Sequence, residues 1–186
     1  MKINGWLFVD KPKGMSSRKA VDLISNSLSI KKVGHAGTLD PMASGLLPIA
    51  IGEATKTIGV IQQFKKRYEF IVKWGEKTST DDKMGSITLS TALRPKLNDI
   101  NESIKKFIGK IEQTPPNFSA IKINGKRAYK LARNNENFFL KPRTAFIENF
   151  KIKKYIDKDH CSFECICSKG TYIRALGRDL GEAMNC

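Results

Sequence analysis

Residues 34–48 read GHAGTLDPMASGLLP, and this turn-prone stretch holds a single carboxylate, Asp40. The proline that follows Asp40 biases its backbone away from the helical region toward an extended or turn conformation. Three glycines in the stretch let the chain bend tightly and let a ligand approach the backbone closely. The pattern therefore predicts a tight loop that presents one acid.

The residues around Asp40 make burial of its carboxylate unfavourable unless the acid binds a partner or has a functional role. Leu39, Met42 and Leu46 are apolar, and burying an unpaired carboxylate among them would cost free energy. A turn-forming aspartate that accepts hydrogen bonds from backbone amides fits the residues as well. A metal site shared with His35 is a third interpretation, disfavoured because no further histidine lies nearby.

The charge balance points to a polyanionic partner. The 186 residues include 33 Lys and Arg against 18 Asp and Glu, a net charge of +15. Such an excess favours nucleic acid over an anionic membrane, although a generally basic proteome would also produce it. No stretch approaches the roughly 20 apolar residues of a membrane span, and Asp10 interrupts the N-terminal apolar run. We expect a cytoplasmic protein without a signal peptide or a membrane partner.

A long basic segment, residues 114–143, mixes lysines and arginines with aromatic residues and shows little apolar periodicity. Basic side chains can bind phosphates, while aromatic rings can stack on unpaired bases. The alternative is a solvated surface loop whose Tyr129, Phe138 and Phe139 pack back onto the body. Loops of this length are often functional, so we favour RNA contact.

The remaining sequence predicts a single α+β domain with a largely antiparallel sheet, because strands and helices follow no regular βα rhythm. Strands are predicted at 3–12, 66–74, 148–156 and 161–168, and helices at 16–28, 99–109 and 171–184. Ser16 or Ser17 can cap the first helix, and Asp99 with Glu102 predicts a capping box for the second.

Three of the four cysteines lie close together, at positions 161, 165 and 167. The alternation of CSFECIC places them with Phe163 on one face of a strand. Zinc binding with the adjacent His160 would need a second pair of ligands, which Cys186 alone does not supply. We therefore expect buried strand cysteines and no metal site.

Two neighbouring segments, GWLFVDKPKGMSS and GHAGTLDPMASGLLPIAIGEATK, resemble the tRNA pseudouridine-55 synthases of the TruB family. KRYEF, TSTDDKMG, QTPPNFSAIKINGKRAYKLAR, KPRTAFI and CSKGTYIRALGRDLGEAM follow in the family's order. The resemblance covers nearly the whole chain. It implies the pseudouridine synthase fold over residues 1–186, with an RNA-gripping insertion at about 122–143. It also implies a cofactor-free isomerase that flips uridine 55 out of the tRNA T-loop and converts it to pseudouridine.

The resemblance assigns roles to individual residues. Asp40 matches the catalytic acid, which either attacks the sugar or removes the C2′ proton through a glycal-like intermediate. Arg174 matches the arginine that pairs with this acid, and Tyr68 matches the tyrosine that stacks on the target base. Tyr172 matches a residue lining the uracil pocket, and His35 matches the histidine beside the extruded base.

Five basic residues are expected to contact phosphates or the RNA backbone. They are Lys11, Lys13, Lys122, Arg133 and Arg143. The implied partner is the T-stem-loop of tRNA, bound by a monomer that needs no other protein. Two function classes remain as alternatives. One is a non-catalytic tRNA-binding or folding module, and the other is a guide-RNA-dependent synthase that works with partner proteins.

The chain also departs from the family pattern. Phe118 stands where the family often has tyrosine, and Ser79, Lys83 and Met84 make their loop less acidic than usual. Family members normally continue beyond the position of Cys186 with further core structure and a PUA-type RNA-binding domain. We therefore expect the catalytic domain of the family without the PUA-type domain.

Overall fold

The computed structural model describes residues 3–186, and the chain forms two compact units, Met1–Phe64 and Lys65–Cys186. The single catalytic domain expected over residues 1–186 stays a prediction. Within residues 3–186, no helix combines the length and the apolar character needed to cross a bilayer.

The first unit is a three-stranded antiparallel sheet with the strand order β1-β3-β2. Its strands are β1 (Gly5–Lys11), β2 (Val33–His35) and β3 (Gly45–Ile51). Its helices are α1 (Ser17–Ser27), a 3-10 helix (Gly52–Thr57) and α2 (Ile58–Gln63). The central strand, β3, is the most buried of the three, because it pairs on both edges and one face packs against α1.

Packing of α1 forms the core of this unit. Ala20 and Val21 of the helix contact Leu47 and Ile49 of β3. Ser16 is the N-cap residue and accepts a hydrogen bond from the Lys19 amide at 3.1 Å, which decides between the two predicted caps.

The second unit is built on a four-stranded antiparallel sheet with two small hairpins and three helices. Its strands are β4 (Lys66–Lys73), β5 (Glu76–Thr78), β6 (Ile87–Ser90), β7 (Gly109–Gln113), β8 (Lys122–Ile123), β9 (Lys126–Arg127), β10 (Arg143–Tyr155) and β11 (His160–Cys167). Its helices are α3 (Leu97–Lys105), α4 (Ala128–Arg133) and α5 (Ile173–Ala183). The main sheet has the order β4-β11-β10-β7, while β5 pairs with β6 and β8 with β9. All described strand pairs are antiparallel, so the predicted α+β class is confirmed.

The core of the second unit lies under one face of the main sheet. Phe70, Phe150 and Phe163 pack with ring centroids 5.4–6.0 Å apart, and Trp74 meets Phe163 edge-on. The predicted cysteine face is confirmed, because the thiols at 161, 165 and 167 are all buried. Burial raises the pKa of Cys161 to about 11, which keeps that thiol protonated. Among residues 3–186, no group of three or more His, Cys, Asp or Glu could hold a metal ion.

The predicted capping box on α3 was wrong. The helix begins at Leu97, and Asp99 lies in its first turn, where its carboxylate accepts a hydrogen bond from the Lys96 amide at 3.0 Å. Glu102 instead pairs with Lys105 at 2.6 Å. The buried stripe of the helix includes Ile100 and Ile104. Beyond its end at Lys105, Phe107 still packs against the core, whereas Ile108 is exposed.

The segment 114–143 has more structure than its sequence predicted. An Asn124–Gly125 turn with positive φ at both residues joins β8 to β9, which is the backbone that such two-residue hairpins require. The short α4 follows this hairpin and buries Ala128 and Leu131. Phe139, in contrast, is 76% exposed. A six-residue helix is too short to show helical periodicity in the sequence.

Candidate active site

The Asp40 loop connects β2 to β3 and rests on the turn between β1 and α1. The Gly14 amide donates to the Pro41 carbonyl at 2.7 Å, and the Ala43 amide donates to the Asp40 carbonyl at 3.0 Å. At the start of the loop, the Ala36 amide donates to the Pro48 carbonyl at 2.9 Å. The backbone on each side of Asp40 is therefore held by hydrogen bonds, as the glycine- and proline-rich sequence requires.

Lys11 anchors the same loop from the end of β1. Its side chain is fully buried, and its ammonium donates to the carbonyls of Pro12 at 2.9 Å, Met15 at 2.7 Å and Ala43 at 2.5 Å. Burial lowers the pKa of Lys11, and the nearby charge of Asp40 partly opposes this change. The predicted phosphate contact of Lys11 is corrected, because all three N–H groups of the ammonium bind backbone carbonyls.

Ser17 is a second loop anchor, although its position in the sequence predicts only a helix cap. Its hydroxyl donates to the Leu39 carbonyl at 3.0 Å and accepts from the Leu39 amide at 2.9 Å. The side chain is buried, with 2% exposed. No sequence signal distinguishes this serine from its neighbour Ser16, because both precede the same helix.

His35 lies on β2, opposite Ile49 of β3, and is half-buried. Its Nδ1 hydrogen bonds to the Gly37 carbonyl, so that nitrogen carries the proton. Gly37 has φ +138°, in the region that favours glycine. The ring orientation of His35 is therefore set by the loop that carries Asp40.

In the second unit, Arg174 occupies the first turn of α5. Its guanidinium donates to the carbonyl of Thr80 at 2.9 Å and of Phe118 at 3.1 Å, and it lies 3.8 Å from Asp82. Phe118 makes this contact through its backbone, so the departure from tyrosine leaves it unaffected. The planar fork of Arg174 thus joins the β5–β6 loop to the segment that precedes β8.

Arg178 lies one helical turn after Arg174 and binds the same two segments. It donates to Asp81 at 2.8 Å, to the Thr114 carbonyl at 2.8 Å and to Asp179 at 2.7 Å. Burial, the largest single influence, lowers the pKa of Arg178, but the combined effects of Asp179 and Asp81 raise it overall. A cavity of about 400 Å³ borders this cluster and is lined by Lys77, Asn117 and Glu182 among others.

The two predicted pocket tyrosines also lie in the second unit. Tyr68 is on β4, half-buried against the core and paired with Cys165 of β11. Tyr172 is the N-cap residue of α5. The buried amide of Gln113 binds the Tyr172 backbone at both ends, accepting from its N–H at 3.0 Å and donating to its carbonyl at 3.2 Å. No pattern in the sequence indicates this role of Gln113.

The remaining basic candidates are exposed in their respective units. Lys122 lies on β8, Arg133 ends α4, and Arg143 begins β10. Lys13 follows β1 in the first unit. The Arg133 guanidinium lies 5.6 Å from the Tyr129 ring centroid, a cation–π distance. Their contacts with RNA stay predictions.

The predicted site residues are divided between the units. Lys11, Lys13, His35 and Asp40 belong to the first, where the charge of Asp40 acts on the pKa of Lys11. The candidates of the second unit are Tyr68, Lys122, Arg133, Arg143, Tyr172 and Arg174. The pairing of Arg174 with Asp40 stays a prediction.

Comparison with solved structures gives the class of the fold. The chain superposes on a crystal structure of a Cbf5–Nop10–Gar1 complex with a TM-score of 0.71 and 27% identity, covering 96% of this chain and 44% of that one. The archaeal box H/ACA sRNP Nop10–Cbf5 complex matches with a TM-score of 0.68 and 25% identity, covering 97% and 43%. The fold is that of the pseudouridine synthases.

Sequence comparison identifies the family. The model of the TruB family pseudouridylate synthases (N-terminal domain) matches residues 25–173, and the chain belongs to this family. It is 52% identical to tRNA pseudouridine synthase B of Bartonella henselae over 184 residues, or 99% of this chain and 58% of that protein. The Wolbachia pipientis protein of the same name is 51% identical, over 99% of this chain and 52% of that protein. The chain thus spans somewhat more than half the length of these relatives.

Proposed function

We propose that this chain is the catalytic domain of a tRNA pseudouridine synthase acting on uridine 55 of the T-loop. In this reaction the bond from C1′ to N1 breaks, the uracil rotates, and a bond from C1′ to C5 forms. The proton lost from C5 is balanced by one gained at N1, so the product is an isomer of the substrate. The observation that carries the proposal is the single carboxylate of a hydrogen-bonded loop, Asp40, in a chain of the TruB family.

Asp40 acts as the nucleophile at C1′ or as the base that removes the C2′ proton. Either step needs only an ionised carboxylate at the sugar, so the proposed reaction requires no cofactor. Arg174 is the proposed cationic partner of this acid, since a guanidinium favours the ionised form of a carboxyl. The Arg174 guanidinium contacts the carbonyls of Thr80 and Phe118 and the carboxylate of Asp82 within the second unit, and these contacts support a fixed orientation for its charge.

Target recognition requires uridine 55 to leave its stack, at a cost of a few kcal/mol. We propose that Tyr68 stacks on the extruded base, that Tyr172 lines the uracil pocket, and that His35 occupies the space the base leaves. The exposed basic side chains of residues 122–143 then hold the RNA backbone. In this proposal the chain works in the cytoplasm as a monomer, with tRNA as its partner.

A guide-dependent synthase is the second candidate, and the similarity to the Cbf5 complexes favours it. A turnover assay on unmodified T-loop RNA, without any other protein or RNA, separates the candidates. Turnover supports the stand-alone enzyme. Binding without turnover supports a tRNA-binding module, and activity that requires added Nop10, Gar1 and a guide RNA supports the guide-dependent class.

Substitution of Asp40 by asparagine tests the catalytic assignment. The amide keeps the size of the side chain but lacks the charge, so we expect RNA affinity close to that of the wild type and no pseudouridine. Release of tritium from 5-labelled uridine in a T-loop transcript measures turnover. Asp10→Asn, an exposed aspartate of the same unit, is the matched control and should remain active. Appreciable turnover by Asp40→Asn would exclude Asp40 as the catalytic acid.

A further inference from the structure

Leu39, the residue before Asp40, is bound at both of its backbone polar groups by one side chain. The Ser17 hydroxyl donates to its carbonyl at 3.0 Å and accepts from its amide at 2.9 Å. A hydroxyl has one proton to donate and two lone pairs, so it makes both bonds at once. Ser17 lies 22 positions earlier in the chain, on a helix outside the loop.

These two bonds restrict the peptide planes on both sides of Leu39. The second of these planes leads directly into Asp40. The plane that follows Asp40 is held through its carbonyl, which accepts from the Ala43 amide at 3.0 Å. Pro41 also narrows the conformations open to Asp40. The direction in which the Asp40 side chain leaves the backbone is therefore set from both sides, and Ser17 sets the earlier side.

The hydroxyl of Ser17 is not needed to cap α1. Ser16 is the N-cap residue, and its own hydroxyl accepts from the Lys19 amide at 3.1 Å. Ser17 is 2% exposed, so solvent does not supply the bonds that it makes to Leu39. Two adjacent serines thus have separate tasks, one in the helix and one in the loop.

We infer that Ser17 is a positioning residue for the catalytic carboxylate, acting through the backbone of Leu39. This inference rests on the proposed role of Asp40. Reacting groups must be held close to their productive geometry, and a displacement of about 1 Å can lower a rate by about 10²-fold. Ser17 holds Asp40 at that geometry from a buried position, through the backbone of the loop.

The adjacent serines provide a matched pair of variants. Ser17→Ala removes both hydrogen bonds to Leu39, Ser16→Ala removes only the helix cap, and Ser17→Thr keeps the Ser17 hydroxyl group. Steady-state kinetics on a T-loop transcript should show kcat lowered by about 10²-fold in Ser17→Ala with KM nearly unchanged. Ser16→Ala should keep the wild-type kcat, and Ser17→Thr should recover most of it. Thermal unfolding of all three variants shows whether each one folds.

Hydrogen exchange at the Leu39 amide is the readout that does not depend on activity. Protection of this amide should fall in Ser17→Ala and persist in Ser16→Ala and Ser17→Thr. Equal kcat in Ser17→Ala and Ser16→Ala, with Asp40→Asn inactive, would overturn the positioning role and leave the proposed function intact. Unchanged protection in Ser17→Ala would also overturn it. Turnover by Asp40→Asn would overturn the catalytic role of Asp40 and the positioning role together.

Discussion

The ammonium of Lys11 lies 2.5 Å from the carbonyl oxygen of Ala43, three residues beyond Asp40. This bond ties the end of β1 to the loop that carries the candidate catalytic acid. Two further carbonyls, of Pro12 and Met15, complete the set of acceptors around the same ammonium. A buried cation beside Asp40 therefore contributes both a mechanical anchor for the loop and a compensating charge for the acid.

Substitution of Lys11 by methionine should weaken both contributions. We expect the free energy of unfolding to fall by about 2 kcal/mol, because partly buried carbonyls lose their donor. Turnover should fall as well, since the loop loses an anchor close to Asp40. Urea unfolding and tritium release measure the two effects. Lys13→Met, at an exposed lysine two residues later, should change stability little. Wild-type stability and turnover in Lys11→Met would contradict the anchoring role.

The strands with strict alternation could be predicted from the sequence. Tyr68, Phe70 and Val72 of β4 face the core as expected, and so do the cysteines of β11. Successive side chains of a strand point to opposite faces, so a strand with one buried face shows apolar residues at every second position of the sequence. The Asp40 loop was predicted for a similar reason, since its glycines and prolines act through local backbone geometry.

Contacts between distant segments could not be predicted in this way. From the sequence alone, Lys11 cannot be distinguished from a surface lysine. In the structure its ammonium binds the carbonyl of Ala43, which lies 32 residues later in the chain. Gln113 and Ser17 are likewise defined by partners that lie far along the sequence. The predicted start of α3 is wrong because Asp99 is a residue type that often caps helices. In the structure Asp99 lies in the first turn, and its carboxylate accepts a hydrogen bond from the Lys96 amide.

Arg178 should stabilise the β5–β6 loop through its link to Asp81. Both side chains are nearly buried, with 14% and 10% exposed, so removal of one partner leaves a poorly solvated charge. Arg178→Met should lower the free energy of unfolding by about 3 kcal/mol. Arg178→Lys should recover only part of this, because an ammonium does not reproduce the planar fork. Urea unfolding measures both variants.

Arg18 offers the control for this prediction. It forms an ion pair with Asp22 at 2.8 Å, but its side chain is 80% exposed. Arg18→Met should therefore cost roughly 0.5 kcal/mol or less. Similar losses in Arg178→Met and Arg18→Met would show that burial of the Arg178 pair adds nothing to stability.

Glu164 should make stability depend on pH in the acidic range. It accepts from Lys151 at 3.1 Å and from Arg67 at 2.6 Å, and only 8% of the residue is exposed. The hydrogen bond from Lys151, aided by Arg67 and opposed by burial, holds the pKa of Glu164 below its ordinary value of 4.5. Because the folded pKa is lowered, the stabilisation is present above the unfolded value and is lost as the pH falls through the folded one.

Glu164→Gln therefore should be less stable than the wild type at neutral pH, and the difference should shrink as the pH falls below about 4.5. Thermal unfolding across this range measures the difference. Glu102→Gln, which removes an exposed ion pair with Lys105, serves as the comparison and should differ little from the wild type. A Glu164→Gln deficit that is the same at neutral and acidic pH would contradict this account.

RNA affinity should depend steeply on salt if the basic segment holds the phosphate backbone. Lys122, Lys130 and Arg133 are exposed on β8 and α4. Each phosphate contact to a single-stranded region contributes about 0.7 to the slope of log affinity against log salt. Replacing all three residues by glutamine should therefore reduce the slope by about 2 and weaken binding similarly across RNA sequences.

The control for this prediction removes the same formal charge elsewhere in the second unit. It replaces three exposed lysines on or beside α3 and β7, Lys96, Lys106 and Lys110. Long-range attraction falls equally in both triple variants, so a larger change of slope in the first one reports direct phosphate contacts. His35→Ala should leave the slope unchanged, because its proposed place is beside the flipped base. Equal slopes in the two triple variants would show that residues 122–143 form a solvated surface and do not contact RNA.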